Sequence, residues 1–238
     1  MQHGVQKCHR EEHGDVAISW HTDVNTRSQR DCFVTVFLAM TTLGFTGSYA
    51  HADMIDTRGM APHEQCAYCH GLDGNSAMPR FPRLAGQSAS YLRKQLADFK
   101  RGRRTNDEGA MSGIAENLSE ADVESIVRHY AGQALRARAS DMEGDAAAGR
   151  RLYFNGRRAI AACATCHGTV APVLEGAPRL LGQHGAYLAK QLQDFRRGVR
   201  RNDADGVMHR IAQALAESEI RALAAFLSAQ PVMTGANR

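Results

Sequence analysis

The chain has 238 residues, with 29 Lys and Arg against 25 Asp and Glu and a formal net charge of +4. That small surplus, with 6% aromatic residues, offers neither the electrostatic footprint nor the stacking platform of a nucleic-acid binder, and nucleic acid is excluded as a partner. The length fits one to two domains.

From Cys32 to Leu43 runs an apolar segment without charge, preceded by Arg27 and Arg30 and followed by Ala50-His51-Ala52, an A-x-A cleavage pattern ahead of Asp53. It reads as a secretory signal. A membrane span needs about 20 apolar residues, and Thr41, Thr42, Gly44, Thr46 and Gly47 interrupt this one. Cleavage is therefore expected, with a retained anchor as the alternative. Residues 1–23 are polar and include Glu11-Glu12, unlike the start of a signal, which puts the natural start near Val24. Removing residues 1–52 also removes Cys8 and Cys32 and leaves 25 basic against 20 acidic residues.

A short helix is expected around Arg58 to Gln65, interrupted by Pro62. It leads into Cys66-Ala67-Tyr68-Cys69-His70-Gly71. Cys-x-x-Cys-His reads as a c-type haem attachment site, because two thiols three positions apart can each add to one porphyrin vinyl group and the adjacent imidazole then meets the iron. A second helix follows Gly86-Gln87, with Leu92, Leu96 and Phe99 on one face. A third starts at Ser119, capped with Asp122, and buries Val123, Ile126, Val127 and Tyr130. The polar, alanine-rich and charged stretch Gly132 to Gly144 reads as a linker.

The whole pattern then recurs. Asp145 to Ala162 is a plausible helix weakened by Gly149 and Gly156, and it runs into Cys163-Ala164-Thr165-Cys166-His167-Gly168. Ala177-Pro178-Arg179-Leu180-Leu181-Gly182-Gln183 repeats Phe81-Pro82-Arg83-Leu84-Ala85-Gly86-Gln87, and Leu188, Leu192 and Phe195 repeat the helix face. Met111 lies 41 residues after His70, and Met208 lies 41 after His167, each followed by x-x-Ile-Ala. The last helix buries Ile220, Leu223, Ala224 and Leu227, with Ala216 in place of the capping serine, at a cost of about 1 kcal/mol. Zinc ribbons space their CxxC pairs by about 15 to 20 residues, whereas Cys66 and Cys163 are 97 apart. A thioredoxin-like centre needs a strand context that neither motif has. Two tandem haem-binding units remain, with Cys66, Cys69, Cys163 and Cys166 as the attachment residues and His70 and His167 as iron ligands.

CxxCHG, Pro-Arg-Leu-x-Gly-Gln, the Tyr-Leu-x-x-Gln-Leu-x-x-Phe helix and Met-x-x-Ile-Ala-x-x-Leu together resemble the dihaem cytochrome c4 family over nearly all of residues 53–238. The resemblance implies an all-α fold of two tandem class I cytochrome c domains, each around a covalent haem c. The expected organisation is a signal and N-terminal extension at 1–52, a first domain at 53–137, a linker at 138–144 and a second domain at 145–238. It also implies His/Met ligation, with Met111 and Met208 as sixth ligands, and backbone carbonyls of Pro82 and Pro178 bonded to the other ring nitrogen of each histidine. The loop Thr169 to Gly176 departs from the first copy by lacking Asp73-Gly74-Asn75.

Methionine is a common core filler; the equal spacing, in a loop just before the final helix, argues for ligation. His209 is the rival for the second iron, while Met78 lies too close to His70, and Met142 and Met233 lie in linker and tail. His63, His129 and His184 read as surface or helix residues. The runs Lys100-Arg101-Gly102-Arg103-Arg104 and Arg196-Arg197-Gly198-Val199-Arg200-Arg201 fit solvated helix ends, or a patch that neutralises propionates or steers an acidic partner. The resulting expectation is a periplasmic respiratory electron carrier, not an enzyme. Its donor would be a quinol-oxidising complex or a dehydrogenase and its acceptor a terminal oxidase, and it would be soluble or loosely membrane-associated. The alternatives are the dihaem subunit of a dehydrogenase, such as flavocytochrome c sulfide dehydrogenase, and a dihaem peroxidase, which needs an open iron.

Overall fold

In the computed structural model, residues 59–230 are described; the signal segment, the cleavage pattern, the start near Val24, Cys8, Cys32 and Met233 lie outside them. The first copy folds as α1 (Pro62–His70), α2 (Ala89–Lys100), α3 (Ala110–Glu116) and α4 (Glu120–Ala131). The second comprises α5 (Ala146–Asn155), α6 (Ala164–His167), α7 (Gly185–Arg197), α8 (Val207–Ala214) and α9 (Glu217–Ser228). The only extended pairing among the described residues is an isolated bridge between Arg157 and Ile160.

Three expectations about local structure need correction. Pro62 starts α1 instead of interrupting it, because at the first helical position its missing N–H costs nothing. In the second copy the helix does not run on to Ala162: Gly156 ends α5 at φ 64°, where a Cβ would come within 2.4 Å of the Ile160 carbonyl oxygen. A loop closed by the Arg157–Ile160 bridge then leads to the four-residue α6. The methionines sit not in loops but on α3 and α8, each as the second residue after a left-handed glycine, Gly109 or Gly206.

Other expectations hold. Ser119 caps α4 reciprocally with Asp122, at 3.1 Å and 2.9 Å. The loss of that hydroxyl at Ala216 is partly offset, since the Glu219 carboxylate still accepts the Ala216 N–H at 2.8 Å. Leu92 and Phe99 of α2 and Leu188 and Phe195 of α7 face inward as the periodicity requires.

Among the described residues the helices pack within their own copy: α1 and α2 against α4, α2 against α3, α5 and α7 against α9, and α7 against α8. The second copy has the larger core, with Leu152, Tyr153, Ile160, Leu188, Leu215, Ile220, Leu223, Phe226 and Leu227. The first buries only Leu92, Ile126, Val127 and Tyr130 as one cluster. The difference follows from the N-terminal helices: α5 is amphipathic and crosses α9, whereas α1 is the attachment motif itself and buries only His70.

The linker is not simply solvated. Leu135 is buried, Asn75 binds the Ala134 carbonyl and the Arg136 N–H at 3.0 and 2.9 Å, and Asp141 accepts the Gly185 N–H at 2.7 Å. His184, expected at the surface, is buried: Nε2 donates to the Ser76 carbonyl of the first copy at 3.0 Å, and Nδ1 lies 3.3 Å from Asp141.

The α5–α9 crossing depends on Gly149, where a Cβ would lie 2.0 Å from the Ala222 carbonyl oxygen. Gly149→Ala should therefore force the helices apart and cost about 1–3 kcal/mol. Thermal unfolding of the holoprotein measures this; an unchanged Tm would contradict the close approach.

Candidate functional site

The two motifs present the same donor set. Among the described residues all four cysteines are free thiols, half-buried, with Cys66 and Cys69 about one turn apart on α1. Burial pushes the Cys66 and Cys163 thiols up to about 11, so both remain S–H at neutral pH. His70 and His167 are buried, and burial pushes both imidazoles below their ordinary range.

Each buried imidazole is oriented by one hydrogen bond. His70 Nδ1 donates to the Pro82 carbonyl at 2.9 Å and His167 Nδ1 to the Pro178 carbonyl at 3.0 Å. A bond to a carbonyl fixes the proton on Nδ1 and leaves Nε2 with its lone pair, the state a metal needs. Two uncrosslinked thiols beside one oriented neutral imidazole fit a c-type haem, in both copies.

The peptides that follow the motifs are held by buried tyrosines that sequence reading did not assign. Tyr130 donates to the carbonyls of His63 and Gly71 at 2.9 and 3.3 Å, and Tyr153 donates to that of Gly168. Gly71 and Gly168 are equivalent, yet Tyr130 comes from α4 and Tyr153 from α5. A comparison of the two copies position by position cannot find this, because different helices supply the same bond. His63 and His129, also expected to be simple helix or surface residues, stack with centroids 3.9 Å apart.

Met111 and Met208 are both half-buried and occupy equivalent helical positions. Asp107 accepts the Ser112 N–H at 2.9 Å and Asp203 accepts the Met208 N–H at 2.6 Å, so a carboxylate holds the first turn of each methionine helix. The rival His209 also lies on α8, and its Nδ1 donates to the Phe195 carbonyl of α7 at 2.6 Å. Its counterpart in the first copy is Ser112, so only the methionine is common to both.

The basic runs divide into two kinds of residue. Arg104 and Arg200 are buried between the copies, and the others lie at the surface or pair with acids, as Arg103 does with Asp98 and Arg197 with Asp194. Arg104 binds Gln95 of its own copy and Tyr187 and Gln191 of the other, at 2.8, 3.1 and 3.1 Å. Arg200 mirrors it on Gln191, Tyr91 and Gln95, at 2.8, 3.2 and 3.1 Å. Asn106 binds Asp194 and Asn202 binds Asp98 in the same reciprocal way, the signature of an approximate two-fold axis. Burial alone would raise the Tyr91 phenol, but Arg200 and Arg104 outweigh it and hold it below its usual range.

Comparison with known proteins matches the family model described as Cytochrome c twice, at residues 58–130 and 146–230. Cytochrome c4 of Pseudomonas aeruginosa is 42% identical over 191 residues, covering 78% of this chain and 93% of that one. A thiosulfate dehydrogenase electron acceptor of Thiomonas intermedia is 37% identical over 180 residues, covering 72% and 82%. The crystal structure of reduced recombinant cytochrome c4 from Pseudomonas stutzeri superposes with a TM-score of 0.63 at 37% identity, covering 71% of this chain and 96% of that one.

Because each motif supplies its own thiol pair, Cys66→Ala with Cys69→Ala should leave one covalent haem per chain. Pyridine haemochrome stoichiometry reads the result, and two haems in that variant would refute the attachment.

Proposed function

The chain belongs to the cytochrome c family, within its dihaem cytochrome c4 group, and we propose that it works in the periplasm, carrying electrons from a quinol-oxidising complex or a dehydrogenase to a terminal oxidase. It carries two covalent haem c groups and is an electron carrier, not an enzyme. When bound, the haems supply the one-electron ferric/ferrous couple.

The protein's own residues supply the rest. Cys66, Cys69, Cys163 and Cys166 attach, His70 and His167 offer Nε2, and Met111 and Met208 offer thioethers as sixth ligands. The domains run from 53 to 137 and from 145 to 238. The observation that carries the ligand reading is the duplicated geometry: each histidine is fixed by a proline carbonyl, and each methionine opens a carboxylate-held helix 41 residues on. Methionine with histidine raises the potential and closes the iron, which suits a carrier and does not suit a peroxidase. The apolar segment at Cys32–Leu43, with its A-x-A site, supports export to the periplasm.

A second reading, the electron-accepting subunit of a sulfur-compound dehydrogenase, has one structural observation in its favour. Val173 and Leu174, adjacent in the loop that departs from the first copy, are 73% and 58% exposed. A contiguous apolar patch is what a subunit offers a partner. The likeness to the thiosulfate dehydrogenase electron acceptor supports the same reading.

Replacing Met111 or Met208 by His should lower the potential of that haem markedly and leave the other nearly unchanged, as potentiometric titration will read. An unmoved Met208→His titration would pass the ligand role to His209. For a shuttle, electron transfer to the oxidase should slow as salt rises, since exposed charges are screened over about 10 Å at 0.1 M. A salt-independent rate, or co-purification in fixed stoichiometry with a dehydrogenase, would establish the subunit reading.

A further inference from the structure

The peptide group that orients each histidine has a second partner, and it comes from the opposite domain. The Pro82 carbonyl accepts from His70 Nδ1, and the N–H of the same peptide unit, on Arg83, donates to Gln183 Oε1 at 2.8 Å. In the second domain the Pro178 carbonyl accepts from His167 Nδ1, and the Arg179 N–H donates to Gln87 Oε1 at 2.8 Å. Each glutamine closes a second bond, with Gln183 Nε2 donating to the Arg83 carbonyl at 2.9 Å and Gln87 Nε2 to that of Arg179 at 3.0 Å. Both glutamines and both histidines are buried, so water does not compete for these groups.

We propose that Gln183 and Gln87 are positioning residues that tune the histidine of the opposite domain, Gln183 acting on His70 and Gln87 on His167, each through one shared peptide unit. Hydrogen bonds in series polarise one another. An acceptor on the Arg83 N–H shifts electron density towards the Pro82 carbonyl, which then draws harder on the His70 Nδ1 proton. A histidine whose other nitrogen is bonded more strongly is a more basic metal ligand. Greater basicity favours the ferric state, so each glutamine lowers the potential of the haem in the domain it does not belong to.

The glutamines are placed for this by the fold. Gly86, at φ 62°, donates its N–H to the Tyr130 carbonyl, and Gly182, at φ 76°, donates to that of Leu227, so each Pro-Arg-Leu-x-Gly segment docks on the last helix of its own domain. Gln87 and Gln183 follow directly and are directed across the seam. Ser88 and His184 donate their N–H groups to the same glutamine oxygens at 2.9 and 3.0 Å, which fixes the amide orientation.

The inference rests on His70 and His167 being the iron ligands, which the spectrum of the unmodified holoprotein tests before any variant is made. In Gln183→Met the potential of the first haem should rise while that of the second stays put, and in Gln87→Met the second should rise alone. The two couples are assigned from the haem methyl resonances of each domain. In the reduced, diamagnetic state the His70 Nδ1 proton should move upfield in Gln183→Met and the His167 Nδ1 proton should not. Gln183→Glu, whose buried carboxyl in protonated form can keep both bonds to Arg83, should restore the native potential and covers the case in which the methionine variant fails to fold. A shift confined to the haem of the mutated domain, equal shifts in both, or no shift in either would overturn the proposal.

Discussion

The fold answers first to the need to keep an imidazole buried, neutral and correctly turned. Burial alone does half of this, by disfavouring the charged ring. The other half is a single bond from Nδ1 to a proline carbonyl, and a proline suits the place because the ring restricts its own backbone. The chain around that carbonyl is then constrained in turn. It passes the histidine on one side, docks on the final helix through the next glycine, and presents a glutamine to the opposite domain. Site and interface are therefore built from one seven-residue segment and cannot vary independently.

The seam between the domains is polar. Arg104 and Arg200 are buried with glutamine, asparagine and tyrosine acceptors around them and lie over the rings of Phe99 and Phe195, 4.5 Å from each centroid. Burying a guanidinium costs energy that such partners recover only when geometry is good. A seam of this kind specifies orientation more than it adds stability, because a sliding or rotated arrangement would strand two charges and several donors at once. Lys94 and Lys190 reinforce the register by reaching the carbonyls of Asn202 and Asn106 in the other domain. Defined orientation is what a carrier needs if an electron is to pass between two fixed centres.

The two-fold likeness fails in instructive places. Among the described residues, the first domain opens on the attachment helix itself and closes its small core with Tyr130, while the second has α5 and a bridged loop ahead of a one-turn motif helix. Tyr153 of α5 supplies the bond to the post-histidine glycine that Tyr130 of α4 makes in the first domain. Asp73 and Asn75 tie the first loop to the linker, whereas the corresponding loop of the second domain lacks those residues and leaves Val173 and Leu174 exposed. The drift visible in the sequence thus has a physical form: the first loop is tied to the linker by polar bonds that the second loop lacks.

Much of this was determined by the sequence by itself. Spacing within CxxCH, identical offsets to Met111 and Met208, and helical periodicity in Leu92-Leu96-Phe99 are local or repetitive signals, and local chemistry reads them without a fold. The capping of α4 by Ser119 and the all-helical character belong to the same class. Pro62 and Gly156 show the limit of such reading, since a proline breaks or begins a helix depending on where the first turn falls, and a glycine ends one only when its surroundings leave no room for a side chain. What tertiary structure alone decided were the long-range pairings: Arg104 and Arg200 buried instead of solvated, His184 turned onto Ser76, Tyr130 and Tyr153 sharing one task from different helices, and Gln87 and Gln183 crossing to the opposite histidine. The repeat marks Arg104 with Arg200 and Gln87 with Gln183 as equivalent, but no periodicity or spacing names a partner for any of these residues. The pairings arise because buried polar groups must find partners wherever packing brings them, and that partner is set by three-dimensional neighbourhood, not by distance along the chain.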